Sequence, residues 1–286
     1  MGRVQDKVVF ITGAARGQGR AHALRLAAEG ADIIAVDLCA DIATNAYPLA
    51  TQDDLDETAR QVEKLGRRIV ARKADVRDPA ALKAAVADGV AELGRLDAVV
   101  AQAGIAPLGP QSAQAFIDAV TVDYVGVVHA VEAALPHLPD GASIVATGSI
   151  AALTPATVDN PANGPGGLGY SFAKRQVAAF VHDLATVLLP RRIRVNALHP
   201  TNVNTDMLHN DLMYRSFRPD LDSPTREDAM VSFPATTGMG NPYVEPEDVS
   251  DTVLFLVSDE SRYVTGMQMR VDAGGYVRKR PQLPTF

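Results

Sequence analysis

The chain has 286 residues, 47% hydrophobic and 21% charged, enough for one sizeable core and too ordinary a balance for a disordered or fibrous chain. Its 27 basic and 34 acidic side chains leave a formal charge of −7, which argues against nucleic acid and anionic membrane surfaces as partners. Cys39 is the single cysteine, so no internal disulfide and no thiolate metal cluster can form.

The apolar run 8–12 reads as a buried strand and leads into 17–29, where Ala21, Leu24 and Ala28 recur at helical spacing. Residues 33–36 read as a second strand, 54–65 as a helix with Leu55, Val62 and Leu65 on one side, and 68–74 as a third strand. Asp78 and Pro79 suit the cap and first turn of a helix over 79–93. Strands at 98–101, 143–146 and 193–197 alternate with long helical patterns at 113–135 and 170–189, and 247–257 followed by 267–271 closes the series. Near-continuous apolar strands, each separated by a helix, predict an α/β fold: one doubly wound, parallel, seven-stranded Rossmann sheet with helices on both faces. No linker or repeat divides the chain, so 1–286 reads as a single domain. Reducing chemistry, the lack of an export signal at the start and the lack of an uninterrupted apolar run of ~18 residues lead us to expect a soluble cytoplasmic protein.

Three segments break the alternation. Residues 38–53 lengthen the connection after the second strand, and 155–169 are crowded with Gly, Pro and Asn. The third, 202–246, carries Met207, Leu208, Leu212, Met213, Tyr214, Phe217, Phe233 and Met239. Connections of that length are usually lids or binding loops. We expect 202–246 to be a lid over an apolar substrate rather than packed helices, because a helix there would need a second apolar layer that the sequence does not supply.

Gly13, Arg16, Gly17, Gln18 and Gly19 join the first strand to the first helix. A glycine turn in that context brings backbone N–H groups to a pyrophosphate at a helix N-terminus. Asp37 ends the second strand, where a carboxylate accepts from both ribose hydroxyls and repels a 2′-phosphate, which favours NAD over NADP. Arg16 pulls the other way, since a guanidinium in the turn can pair with that phosphate.

Tyr170 and Lys174 lie four residues apart, one turn apart on one helix face, and the pattern places them at the opening of a long helix. A free phenol has a pKa of ~10; a nearby ammonium and an oxidised nicotinamide lower it, which suits the pair to moving an alcohol proton. Ser149 follows the fifth strand at the sheet's carboxyl edge, where its hydroxyl can donate to a substrate oxygen.

These residues together resemble the short-chain dehydrogenase/reductase family over nearly the full length. The resemblance implies pyrophosphate binding by Thr12 and Gly13 through Gly19, an adenine edge at Asp75 and Val76, a strand-four turn at Ala103 and Gly104, and chemistry at Ser149, Tyr170 and Lys174. It adds Leu38, Pro200, Val203 and Thr205 to the cofactor-binding set and has Lys174 also hold the nicotinamide ribose. His199 and Pro200 would lie by the nicotinamide. Val264-Thr-Gly266 and Val271-Asp-Ala-Gly-Gly275 are similar to a family pattern that aids packing of a homotetramer. The enlarged 38–53 segment and the run His199 to Met207 look like the mycofactocin-associated, carveol-dehydrogenase-like actinobacterial group. That implies NAD bound so firmly that it rarely exchanges, with electrons passed to a peptide-derived redox cofactor. An insertion at the adenosine side would slow cofactor escape.

Two positions depart from the family pattern. Gln102 stands where an asparagine is usual, adding a methylene before the amide. Asp123 aligns with the catalytic asparagine that helps hold a water near the lysine. An aspartate there can relay a proton, but its charge opposes the acidifying effect of Lys174 on Tyr170. The six histidines lack metal-ligand spacing, so no metal is expected, and backbone packing is the expected role of His199. The sequence therefore predicts a dehydrogenase moving a hydride between an apolar, terpenoid-like secondary alcohol or its ketone and tightly bound NAD. The alternatives are a non-catalytic NAD-binding module or redox sensor with a lapsed relay, and an ordinary dehydrogenase that exchanges its NAD freely.

Overall fold

The computed structural model describes residues 2–155 and 157–278. Seven parallel strands form one sheet in the order β3-β2-β1-β4-β5-β6-β7. They are β1 (Val8–Thr12), β2 (Asp32–Asp37), β3 (Ile69–Lys73), β4 (Ala98–Ala101), β5 (Ser143–Thr147), β6 (Arg194–Pro200) and β7 (Gln268–Val271). Alternation along β1 divides the core: Val8 and Phe10 join the apolar layer on one face, Val9 and Ile11 the layer on the other. Burial on both faces is why these strands read as continuous apolar runs.

The helices are α1 (Gly17–Ala28), α2 (Gln52–Lys64), α3 (Pro79–Leu93), α4 (Gln114–Val120), α5 (Gly126–Ala134), α6 (Gly164–Leu188), α7 (Asp211–Phe217), α8 (Arg226–Ser232) and α9 (Pro246–Val257). Local chemistry sets their ends. The Asp78 carboxylate caps α3 by accepting from the Ala80 and Ala81 amides, and Gly94 closes it at φ 88°. Thr51 and Asp54 form a reciprocal capping box at α2.

Three expectations need correction. The pattern 113–135 is not one regular helix: a π-helical turn, Thr121–Val125, separates α4 from α5, with the Gly126 amide donating back to the Thr121 carbonyl. The extra residue turns Asp123 into the protein, where it is fully buried. The composite stretch Gln114–His137 is long and apolar enough to cross a bilayer by composition, yet half of it is buried, and it packs against α3 and α6.

Second, α6 starts at Gly164 rather than at Tyr170, inside the segment read as an irregular loop. Gly164 (φ 71°) turns the chain into the helix, and the glycines that follow it are there for close approach: a Cβ on Gly166 would sit 1.8 Å from the Pro107 carbonyl oxygen. Third, 202–246 does contain helices. α7 and α8 bury Leu208, Tyr214, Ala229 and Phe233 against one another, with Met213, Phe217 and Met230 alongside, so the segment carries its own small apolar layer. Its two ends are pinned together by a bridge between Val203 and Val244.

Candidate active site

The carboxyl ends of the strands carry a cleft made of two adjoining cavities, of about 160 and 550 Å³, which share Gln18, Gln102, Gly104, Thr205 and Met207 as lining. The smaller is bounded by Gly13, Arg16, Gly17, Gly19, Asp37 and Leu38, with Asp75, Val76 and Ala103 behind them. The larger holds Ser149, Tyr170 and Lys174, together with Pro200, Val203 and Thr205. The catalytic residues Ser149, Tyr170 and Lys174 and the cofactor-binding side chains just named therefore line one cavity or the other, while Thr12, His199 and Asp123 line neither; Asp123 lies behind Lys174.

In the smaller cavity Gly13 (φ 67°) and Gly17 (φ 54°) take backbone conformations that disfavour a side chain, and a Cβ on Gly13 would come 2.8 Å from the Ala103 backbone. The Asp37 carboxylate accepts from the Ala15 amide at 3.0 Å and the Cys39 amide at 3.1 Å, and burial pushes its pKa up. Residues 38–51 fold over this side as a flap. Thr44 donates to Asp118 of α4 at 2.6 Å, and Tyr47 is buried beneath the flap. Arg16 is tied to the Pro48 carbonyl of the flap and, at 2.9 Å, to Asp206 in the loop after β6. It is thus paired within the protein rather than standing open to a 2′-phosphate. Cys39 is buried beside Asp37, and desolvation raises its thiol to about 11, so it is no nucleophile at neutral pH.

In the larger cavity the Lys174 ammonium donates to the Thr147 carbonyl at 3.0 Å, lies 3.6 Å from Asp123 Oδ2, and stands 5.6 Å from the centre of the Tyr170 ring. Asp123 Oδ1 accepts from the Ile105 amide at 2.8 Å, while Oδ2 has no hydrogen-bond partner among the described residues. Desolvation outweighs the attraction of Lys174 and lifts the Asp123 carboxyl to about 6. At Tyr170 the protein's own groups act in opposite directions. Burial raises its pKa, while Lys174 and the Ser149 hydroxyl pull it back and Asp123 pushes it further up. The effects of Lys174 and Asp123 have the signs expected, and the protein's own groups leave a net rise because burial costs the phenolate more than the ammonium returns.

Two features were not legible beforehand. Ser149 Oγ accepts from the Ala151 amide at 3.2 Å, which leaves its O–H as a donor to the cavity. The loop is held by His199, and its proton can be assigned. Gln268 donates its amide to the Ala178 carbonyl, so its oxygen faces His199 Nε2 at 2.7 Å, and Nε2 carries the hydrogen. Burial favours the neutral ring, whose Nδ1 then accepts from the Ser149 amide at 3.1 Å and lies 2.9 Å from the Ser149 carbonyl oxygen. Gln102 uses its longer side chain to set Oε1 2.5 Å from the Thr147 hydroxyl and 3.2 Å from His22 Nε2. His22 is buried and lowered to about 4 by desolvation. The extra methylene thus bridges strand five to helix α1.

The arrangement has known counterparts. A family model described as Enoyl-(Acyl carrier protein) reductase matches residues 13–276. The chain is 46% identical to (-)-trans-carveol dehydrogenase of Rhodococcus erythropolis over 282 residues, covering 96% of this chain and 99% of that one. The chain is a short-chain dehydrogenase/reductase. Among solved structures, the carveol dehydrogenase of Mycobacterium avium in complex with NAD matches at a TM-score of 0.91 and 46% identity, covering 97% of this chain and all of that one. A short-chain dehydrogenase of Mycobacterium paratuberculosis bound to NAD matches at 0.83 and 38%, with the same coverage. This short-chain dehydrogenase/reductase is an NAD-dependent oxidoreductase acting on CH–OH groups, as the sequence implied. Its cleft fits that cofactor: the glycine turn admits a close backbone approach, a half-buried carboxylate ends β2, and two buried oxygens lining the cleft, Gln18 Oε1 and Thr201 Oγ1, lack a hydrogen-bond partner among the described residues.

Proposed function

We propose that the protein oxidises an apolar, terpenoid-like secondary alcohol, or reduces the matching ketone, with NAD held tightly in the cleft. The observation that carries this reading is the cavity of about 550 Å³, walled by Leu108, Ile150, Val158, Met207, Met213 and Phe217, into which Ser149 and Tyr170 face. The segment 202–246 is the lid over that cavity, and 38–53 includes the flap over the smaller one.

The residues Gly13, Gly17, Gln18 and Gly19 would hold the pyrophosphate, Asp37 and Leu38 the adenosine ribose, and Asp75 and Val76 the adenine edge. Ala103, Gly104, Pro200, Val203 and Thr205 would flank the nicotinamide half, with Lys174 on its ribose. When bound, NAD supplies the hydride acceptor. In oxidation Ser149 donates to the alcohol oxygen and fixes its position, while Tyr170 removes the hydroxyl proton as its carbon–hydrogen bond breaks. Lys174 favours the phenolate, and Asp123, ionising near pH 6, takes the proton onward from the lysine side. His199 holds the Ser149 backbone through Nδ1.

The same reading includes a homotetramer, a cytoplasmic location and a peptide-derived redox acceptor that reoxidises the bound cofactor. The flap supports slow exchange, since Thr44–Asp118 and Arg16–Pro48 must open before the adenosine side can leave. The test is to assay purified protein for retained nucleotide, then add cyclic and terpenoid alcohols with an artificial electron acceptor. Reduction of bound NAD by an alcohol supports the enzyme. Retained nucleotide with no reduction by any alcohol favours the binding-module alternative, and protein purified free of nucleotide favours ordinary exchange.

A further inference from the structure

NADP differs from NAD by a phosphate on the adenosine 2′-oxygen, and two side chains here act on that position with opposite sign. Asp37 repels the phosphate. Arg16 stands close enough for its charge to act on the Asp37 carboxylate, and a free guanidinium there would attract it. Arg16 is not free. One terminal nitrogen binds Asp206 at 2.9 Å and the other binds the Pro48 carbonyl. Asp206 belongs to a different part of the chain, after β6, and its side chain is 65% exposed, so no packing requires a carboxylate there.

We propose that Asp206 is a specificity-determining residue: it occupies Arg16 and withholds it from a 2′-phosphate, so that NAD selectivity rests on Asp206 as well as on Asp37. A guanidinium already satisfied by a carboxylate and a carbonyl must break both contacts to greet the phosphate. The gain from the new pair is then largely cancelled by the pair lost. With Asp206 neutral, only the weaker carbonyl contact competes. The flap and the loop after β6 meet at the same guanidinium, which holds it in a direction set by two elements outside the glycine turn. The inference rests on the placement of the adenosine ribose at Asp37 proposed above.

The test is calorimetric binding of NAD and NADP to protein stripped of nucleotide. In an Asp37→Ser background, Asp206→Asn should tighten NADP about tenfold, the worth of one charge-assisted contact near the surface, and leave NAD within about twofold. Adding Arg16→Gln should abolish the gain. The proposal is overturned if the gain persists without Arg16, which would make it mere removal of a negative charge. It is equally overturned if NAD and NADP tighten alike, or if neither changes. Asp37→Ser alone must weaken NAD; if it does not, the ribose placement fails, whatever Asp206 does. The single Asp206→Asn protein should show the same preference to a smaller degree, and it decides the question if the double variant does not fold.

Discussion

Replacing Asp123 by Asn removes a charge that the fold holds at a cost, and the size of that cost follows from its surroundings. A carboxyl normally near 4 is lifted to about 6 by complete burial, even with Lys174 at 3.6 Å. Between those values the folded protein holds a proton that the unfolded chain releases. The contribution of Asp123 to stability is therefore fullest below pH 4, falls as pH rises towards 6, and stays reduced above it. Roughly two pH units correspond to about 3 kcal/mol. Asparagine keeps an oxygen for the Ile105 amide and carries no charge. Asp123→Asn should thus be more stable than the parent by about 3 kcal/mol at pH 8, and by about half that at pH 5. Urea unfolding of both proteins at the two pH values measures the difference. The same change removes a charge that raises Tyr170, so the rising limb of kcat/KM for alcohol oxidation should move to lower pH. A variant no more stable at pH 8, or a stability difference that does not vary with pH, refutes the reasoning.

Tyr170→Phe should lower kcat by about 10²–10⁴-fold while NAD binding, followed by calorimetry, stays intact. Thr44→Val breaks the buried bond from the flap to Asp118, and stopped-flow displacement should show NAD leaving on the order of tenfold faster. Met213→Ala opens the wall of the larger cavity, so KM for an apolar alcohol should rise about tenfold with kcat little changed.

The sheet was legible because each strand is buried on both faces and so reads as an unbroken apolar run. The glycine turn, Asp37, Ser149, Tyr170 and Lys174 were legible because their chemistry depends on local spacing along single elements. What escaped the sequence depends on distant partners. The glycines of 164–169 look like a loop until the chain at 107–110, Val158 and Phe116 are seen against them, which their missing side chains permit. The π turn at Asp123 leaves no mark on apolar periodicity, because one extra residue over a short span is within its noise. The pairing of Arg16 with Asp206 and Pro48 joins three separate segments, and nothing in the glycine turn announces it. The sequence offers 202–246 no visible second apolar layer because its apolar residues are all assigned to the substrate; sharing Met213 and Phe217 between lid packing and the cavity supplies one.

The seam where backbone meets backbone, α6 against the Pro107–Gly109 strip, divides the alcohol pocket into a half that tolerates change and a half that does not. Any side chain added on the Gly164 or Gly166 side must push the helix that carries the phenol, so new shapes cannot be carved there without disturbing proton transfer. The opposite wall is carried by 202–246, which has its own small apolar cluster and whose ends are bridged at Val203 and Val244. Altered substrate preference is therefore to be sought at the cavity-facing Met213 and Phe217 of that segment, with the α6 side left as the fixed reference against which the substrate is aligned.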